Sequence, residues 1–222
     1  MHRFGGAPPS ADLDIVWPFV SPKPSTLPVA QLGPRDGSIF SIPGVLTHAE
    51  AAAVVAATEA AGYAHQGSRG AAAGEATRSC GRLSVRDAGF ASALWKAIRG
   101  AVLAGLPPTD RDAACGLNDN IRCYRYERGD AFGRHYDDDE VVGADKITRY
   151  TLLIYLTPCT GGATVFYAGE GKRKSAVVAS VAPAPGLALL HRHGDLCLPH
   201  EGARVEGGVK YVLRSDVVFR MG

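Results

Sequence analysis

"RYTLLIYLTP", residues 149–158, decides the fold class. It is rich in β-branched and aromatic side chains, apolar on both faces, and closed by a proline. It reads as a strand covered on both sides. Working outward, "IRCYRYE" (121–127), "GATVFYA" (162–168), "SAVVASVAP" (175–183), "GLALLHR" (186–192), "LCLPHEG" (196–202) and "KYVLRSDVVF" (210–219) are further strand candidates, split by Gly, Pro and Asp. Short strands at this density, with no helical period among them, predict a mostly β jelly roll over residues 118–220.

Two helices precede the strands. Thr47 with Glu50 three residues later is a capping-box pattern ahead of "AEAAAVVAATEAAG", and Gly62 is a natural stop. Asp87 caps "AGFASALWKAIRGAVLAG", which ends at Gly105 before Pro107 and Pro108. The spacing therefore predicts a helical part over 45–106. Residues 65–81, small and polar, read as a loop able to close over a substrate. Residues 1–38 are rich in Pro and Gly and read as an extended arm, with room for an edge strand around Ile15–Val20. Residues 39–222 read as one domain.

Of the 222 residues, 46% are hydrophobic and 21% charged, enough for a core without staples. A formal charge of +2 is too slight to point to nucleic acid or an anionic membrane. Five widely spaced cysteines without a C-x-x-C read as reduced thiols. With no leader-like or membrane-spanning apolar run, the expected location is cytoplasmic, the nucleus remaining open.

The chemistry begins at "YERGDAFGRHYD", residues 126–137. His135 and Asp137 are two apart, so a strand turns both to one face. An open iron site needs three such ligands, and His200 in "LPHEG" supplies a third from a later strand. Lys210 follows ten residues after His200. A lysine pointing into a barrel is costly unless an anion meets it, and a dicarboxylate would do so.

These motifs together resemble the prolyl 4-hydroxylase-like branch of the Fe(II)/2-oxoglutarate-dependent dioxygenases. "RYERG", "HYD", "TLLIYL", "GGATVF", "PAPGLALL" and "HEGARVEGGVK" occur in the family's order, and "SIPGVLTHAEAAAVV" is similar to its opening segment. The resemblance covers about residues 39–219. It implies a double-stranded β-helix with two supporting N-terminal helices. It implies iron held by His135, Asp137 and His200, and the distal carboxylate of 2-oxoglutarate held by Lys210 with Tyr126; Tyr155 and Thr151 line the same pocket. The implied reaction uses O2, releases succinate and hydroxylates an unactivated C–H bond, with ascorbate as a supporting reductant. The substrate is a prolyl residue in a peptide or protein, or else a free amino acid or other small molecule.

In "KYVLRSDVVF", Arg214 and Asp216 share a face with Lys210. Arg214 is a candidate for the near carboxylate of 2-oxoglutarate or an anionic substrate group; the alternative is ion pairing at the barrel rim. His191 and His193 read as structural, Arg78 as a surface arginine, and Asp138, Asp139 and Glu140 as a solvated acidic loop. Two rival classes remain: a non-catalytic β-helix module that binds a metal or partner, and a cupin-like metalloenzyme using His191, His193 and His200. A degenerate module would be expected to lose one of the three ligands or the lysine, and the cupin-like enzyme has no use for Lys210.

Overall fold

The computed structural model describes residues 15–24, 26–35, 37–67, 76–169 and 176–222. Ten strands and two helices position the site: β1 (Ile39–Ile42), α1 (His48–Ala61), β2 (Ser79–Arg86), α2 (Ala88–Gly105), β3 (Asn120–Tyr126), β4 (Phe132–His135), β5 (Lys146–Tyr155), β6 (Thr164–Tyr167), β7 (Val177–Val181), β8 (Ala188–Arg192), β9 (His200–Gly202) and β10 (Lys210–Arg220).

These strands make two antiparallel sheets. The larger runs β1-β8-β5-β10-β3-β2, with short strands added at its edges, and the smaller runs β7-β6-β9-β4. They face one another across Tyr155, Leu189 and Val212 of the large sheet and Phe166 and Val181 of the small one. This is the jelly roll expected from the strand pattern. Strand β5 is apolar on both faces because both are covered. Leu152 and Ile154 join the core beneath the helices, while Tyr155 points between the sheets.

The helices cover the outer face of the large sheet. In α2 the buried residues are Phe90, Ala91, Leu94, Ala97, Ile98, Ala101, Val102 and Gly105, the three-and-four spacing of a one-sided helix. In α1 the Thr47 and Glu50 capping box forms in full. Glu50 also accepts from the backbone and hydroxyl of Ser21 and from Lys23 Nζ at 2.6 Å.

Two expectations need correction. Residues 15–20 form no strand. Instead Trp17 stacks on Phe90 at 4.2 Å and Val20 is buried, so this part of the arm is packed against α2. Residues 65–81 are not all loop. Ala64–Gly67 pairs with β2, and β2 pairs with β3; residues 68–75 lie outside the described residues. The alternation in "SCGRLSVR" is masked because both faces of β2 are in use. Leu83 and Val85 pack under the helices and Cys80 packs between the sheets. A strand, β2, thus sits inside the span expected to be helical.

Gly105 lets the last turn of α2 rest on the buried ring of Phe40. A Cβ there would lie 2.3 Å from Phe40 Cε2. Gly105→Ala gains at most about 1 kcal/mol of helix propensity. The overpacking costs roughly 1–3 kcal/mol. The variant is expected to lower the midpoint of urea unfolding; an unchanged or higher midpoint would show that the ring can move.

Candidate active site

The site is a cleft of about 470 Å³, including its open mouth, between the two sheets. Strands β4 and β9 pair so that His135 lies directly opposite His200, with ring centroids 4.3 Å apart. Asp137 follows two residues after His135, and all three are buried. Their donor atoms lie within 4.8 Å of one another.

The tautomers suit a cation. His135 Nδ1 lies 2.9 Å from the carbonyl of Gly133, and His200 Nδ1 lies 2.9 Å from that of Leu198. A carbonyl only accepts, so each Nδ1 carries the proton and each Nε2 keeps its lone pair. Both Nε2 atoms are turned toward Asp137, at 3.8 Å. Burial, reinforced by neighbouring His200, holds His135 well below the ordinary imidazole range, and burial also lowers His200. Two neutral imidazoles and a carboxylate are the donor set of an open Fe(II) site.

Burial works against the charge on Asp137, but the Arg214 guanidinium holds its carboxyl well below the usual range. Arg214 spans the carboxylate, with Nη1 3.2 Å from Oδ1 and Nη2 3.2 Å from Oδ2. The hydroxyl of Thr151 donates to Oδ2 at 2.6 Å and lies 2.7 Å from His193 Nε2. Behind Arg214 stands Asp216, 3.3 Å away, which Arg122 also contacts from β3.

The other end of the cleft is cationic. Lys210 is 4% exposed, and its ammonium donates to the carbonyl of Gly162 at 2.6 Å. Its Nζ lies 5.3 Å from the ring centre of Tyr126 and 5.6 Å from that of Tyr155. Burial pulls its pKa down to about 8. Among the described residues no carboxylate pairs with it. A buried ammonium between two rings, with one carbonyl partner, has the chemistry of an anion subsite.

Seven of the eight residues singled out from the sequence line this cleft, and the eighth, Tyr155, is fully buried with its ring beside Lys210. Thr151 has a different neighbour from the one expected, since its hydroxyl serves Asp137. Tyr155 spends its hydroxyl on Thr164, at 2.7 Å. Arg78 is a correction: its guanidinium lies 3.7 Å over the ring of Phe132, on the wall of the cleft. Asp138, Asp139 and Glu140 are exposed, as expected. His191 is buried, with Nε2 3.6 Å from Asp137 Oδ2. His191, Cys197 and His200 form a second group of donors. Burial pushes the Cys197 thiol up to about 12, so without a metal it is protonated.

Residues 121–215 match the 2OG-Fe(II) oxygenase superfamily, a span that contains His135, Asp137, His200 and Lys210. No curated protein matches the chain by sequence. Among solved structures, the viral collagen prolyl hydroxylase of Paramecium bursaria Chlorella virus-1 is similar in fold. It has a TM-score of 0.58 and 17% identity, over 82% of this chain and 96% of that one. A Trichoplax adhaerens prolyl hydroxylase in complex with a hypoxia inducible factor oxygen degradation domain peptide has a TM-score of 0.55 and 15% identity, over 82% and 83%. The α-ketoglutarate-dependent epimerase SnoN of nogalamycin biosynthesis has a TM-score of 0.56 and 16% identity, over 83% and 79%. At these identities the likeness is one of fold.

Removing Arg214 strands the buried carboxylate of Asp137 and takes one of two arginine partners from Asp216. Arg214→Met is expected to cost about 3–5 kcal/mol at neutral pH. The carboxyls of Asp137 and Asp216 sit below their ordinary range in the folded protein, so their pairing stabilises above about pH 4 and is lost on acidification. The deficit of the variant, read by chemical denaturation, should therefore narrow as the pH falls. A pH-independent deficit would mean lost packing instead of lost charge.

Proposed function

We propose that this chain, whose residues 121–215 match the 2OG-Fe(II) oxygenase superfamily, hydroxylates an unactivated C–H bond, with His135, Asp137 and His200 holding Fe(II) and Lys210 holding the distal carboxylate of 2-oxoglutarate. Fe(II) and 2-oxoglutarate, when bound, supply the oxidation: with O2 the substrate gains a hydroxyl while 2-oxoglutarate becomes succinate and CO2. The observation that carries this reading is the pairing of opposites in one cleft. Two lone-pair nitrogens and a carboxylate face a cation at one end, and a buried ammonium awaits an anion at the other.

The chain's own residues set the geometry. Gly133 and Leu198 fix the two imidazole rings through their carbonyls. Thr151 and Arg214 fix the Asp137 carboxylate. The rings of Tyr126 and Tyr155 flank the ammonium of Lys210, and Arg214, on the same sheet face, stands at the metal end on Asp137 as a candidate partner for the near carboxylate of 2-oxoglutarate or a substrate anion. A prolyl residue in a peptide is the substrate suggested by likeness to the prolyl hydroxylases. A small molecule is the substrate suggested by likeness to the epimerase. A non-catalytic module would gain nothing from burying Lys210.

Lys210→Ala is expected to weaken 2-oxoglutarate binding by roughly 30-fold or more, with Fe(II) binding retained. The wild-type affinity should also fall as the pH rises above about 8, toward about tenfold per unit, because the free enzyme then loses the proton that the bound dianion needs. Anaerobic titration of the Fe(II) protein measures both. A Lys210→Ala protein that binds 2-oxoglutarate like the wild type would remove the cosubstrate from this subsite.

A further inference from the structure

The mechanism above leaves a group of arginines unexplained. On the inner face of the large sheet, β10, β3 and β2 set their side chains in rows. Val212 stands opposite Tyr124, and Tyr124 opposite Arg82. In the next row Arg214 stands opposite Arg122, and Arg122 opposite Ser84. Directly opposed side chains lie about 5 Å apart at Cβ. Arg82 and Arg122 therefore stand beside Tyr124, which lines the cleft together with Arg214.

The charges do not balance. Two carboxylates, Asp137 and Asp216, serve this cluster, and they are taken by Arg214 and Arg122. Among the described residues no carboxylate pairs with Arg82, which is half-buried. Its Nε, and that of Arg122, are shut off from solvent without a hydrogen-bond partner. Burying unpaired donors beside like charges is unfavourable and points to an absent acceptor. Fe(II) and a 2-oxoglutarate dianion cancel one another's charge and do not supply one. The positive potential shows at Tyr124: burial would raise its hydroxyl pKa, yet Arg78, Arg122, Arg214 and Arg82 bring it below the usual phenol range.

We propose that the substrate carries an oxyanion, a carboxylate or a phosphate, and that Arg82 and Arg122 bind it beside Tyr124 so that the C–H bond to be oxidised is held toward the iron end of the cleft. This rests on the dioxygenase reading and deepens it. The guanidinium fork suits either oxyanion, since it can offer two parallel N–H donors to both. A neutral prolyl side chain would leave Arg82 unanswered. A peptide would qualify only through an acidic residue near the hydroxylated one.

The test uses the anaerobic Fe(II) protein saturated with 2-oxoglutarate, so that Lys210 is engaged. Inorganic phosphate and acetate are titrated separately by calorimetry at constant ionic strength. Saturable binding of either is expected, weakened at least tenfold in Arg82→Gln and partly restored in Arg82→Lys, with 2-oxoglutarate affinity unchanged. Tighter phosphate or tighter acetate tells which oxyanion the substrate bears. Arg82→Gln should melt at or above the wild-type temperature, because it removes an unpaired charge; a purely structural arginine would lower it. Failure of both probes to bind, or binding indifferent to Arg82→Gln, would overturn the proposal. If 2-oxoglutarate itself fails to bind the wild type, the dioxygenase reading fails separately, and the phosphate titration of wild type against Arg82→Gln still decides the arginine site.

Discussion

An ionised carboxylate has been taken out of water at Asp137, and much of the surrounding structure answers that cost. A lone buried carboxylate would take up a proton instead of staying charged. Here Arg214 spans both oxygens and Thr151 donates to one, while the lone pairs of two imidazoles beside it leave room for a cation. The two donors come from β10 and β5, and the two imidazoles from β4 and β9. The site is therefore a product of sheet register, because a slip of one residue in β10 would turn Arg214 toward the helices and strand Asp137.

The same arrangement prepares the carboxylate for a cation. Arg214 is itself backed by Asp216, which Arg122 neutralises in turn. Burial opposes the charge on Arg214, but Asp137 and Asp216 outweigh it and stabilise the guanidinium. An arginine held this way remains in place when one oxygen of Asp137 is committed to a metal. Rings held by backbone carbonyls and a carboxylate held by a fixed guanidinium amount to a donor set whose geometry exists before the ion arrives.

Much of this was legible in the sequence, and the reasons are specific. His135 and Asp137 stood out because a period of two puts them on one face. Lys210 stood out because a lysine on a barrel strand needs an explanation. Strand β5 stood out because an apolar run of that length suits a covered strand. What escaped reading depended on pairing between distant segments. Arg122 looks like an ordinary residue of "IRCYRYE" until β3 is set beside β10 opposite Arg214. Arg78 reads as a surface arginine at the end of a small and polar stretch, and Arg82 gives no signal because β2 has both faces occupied and shows no clean alternation. Thr151 was placed on the correct face, but its bond to Asp137 depends on where the chain goes after β4. Trp17 gave no local signal of its stacking on Phe90, since a tail rich in Pro and Gly carries no period.

The central claim is that one cleft takes Fe(II) at His135, Asp137 and His200 and chelating 2-oxoglutarate beside it. The most direct measurement adds both to the metal-free protein without oxygen and records the visible spectrum. The account predicts a weak charge-transfer band that needs both additions and is absent in His135→Ala. Iron shown to be bound without any such band on adding 2-oxoglutarate would contradict it.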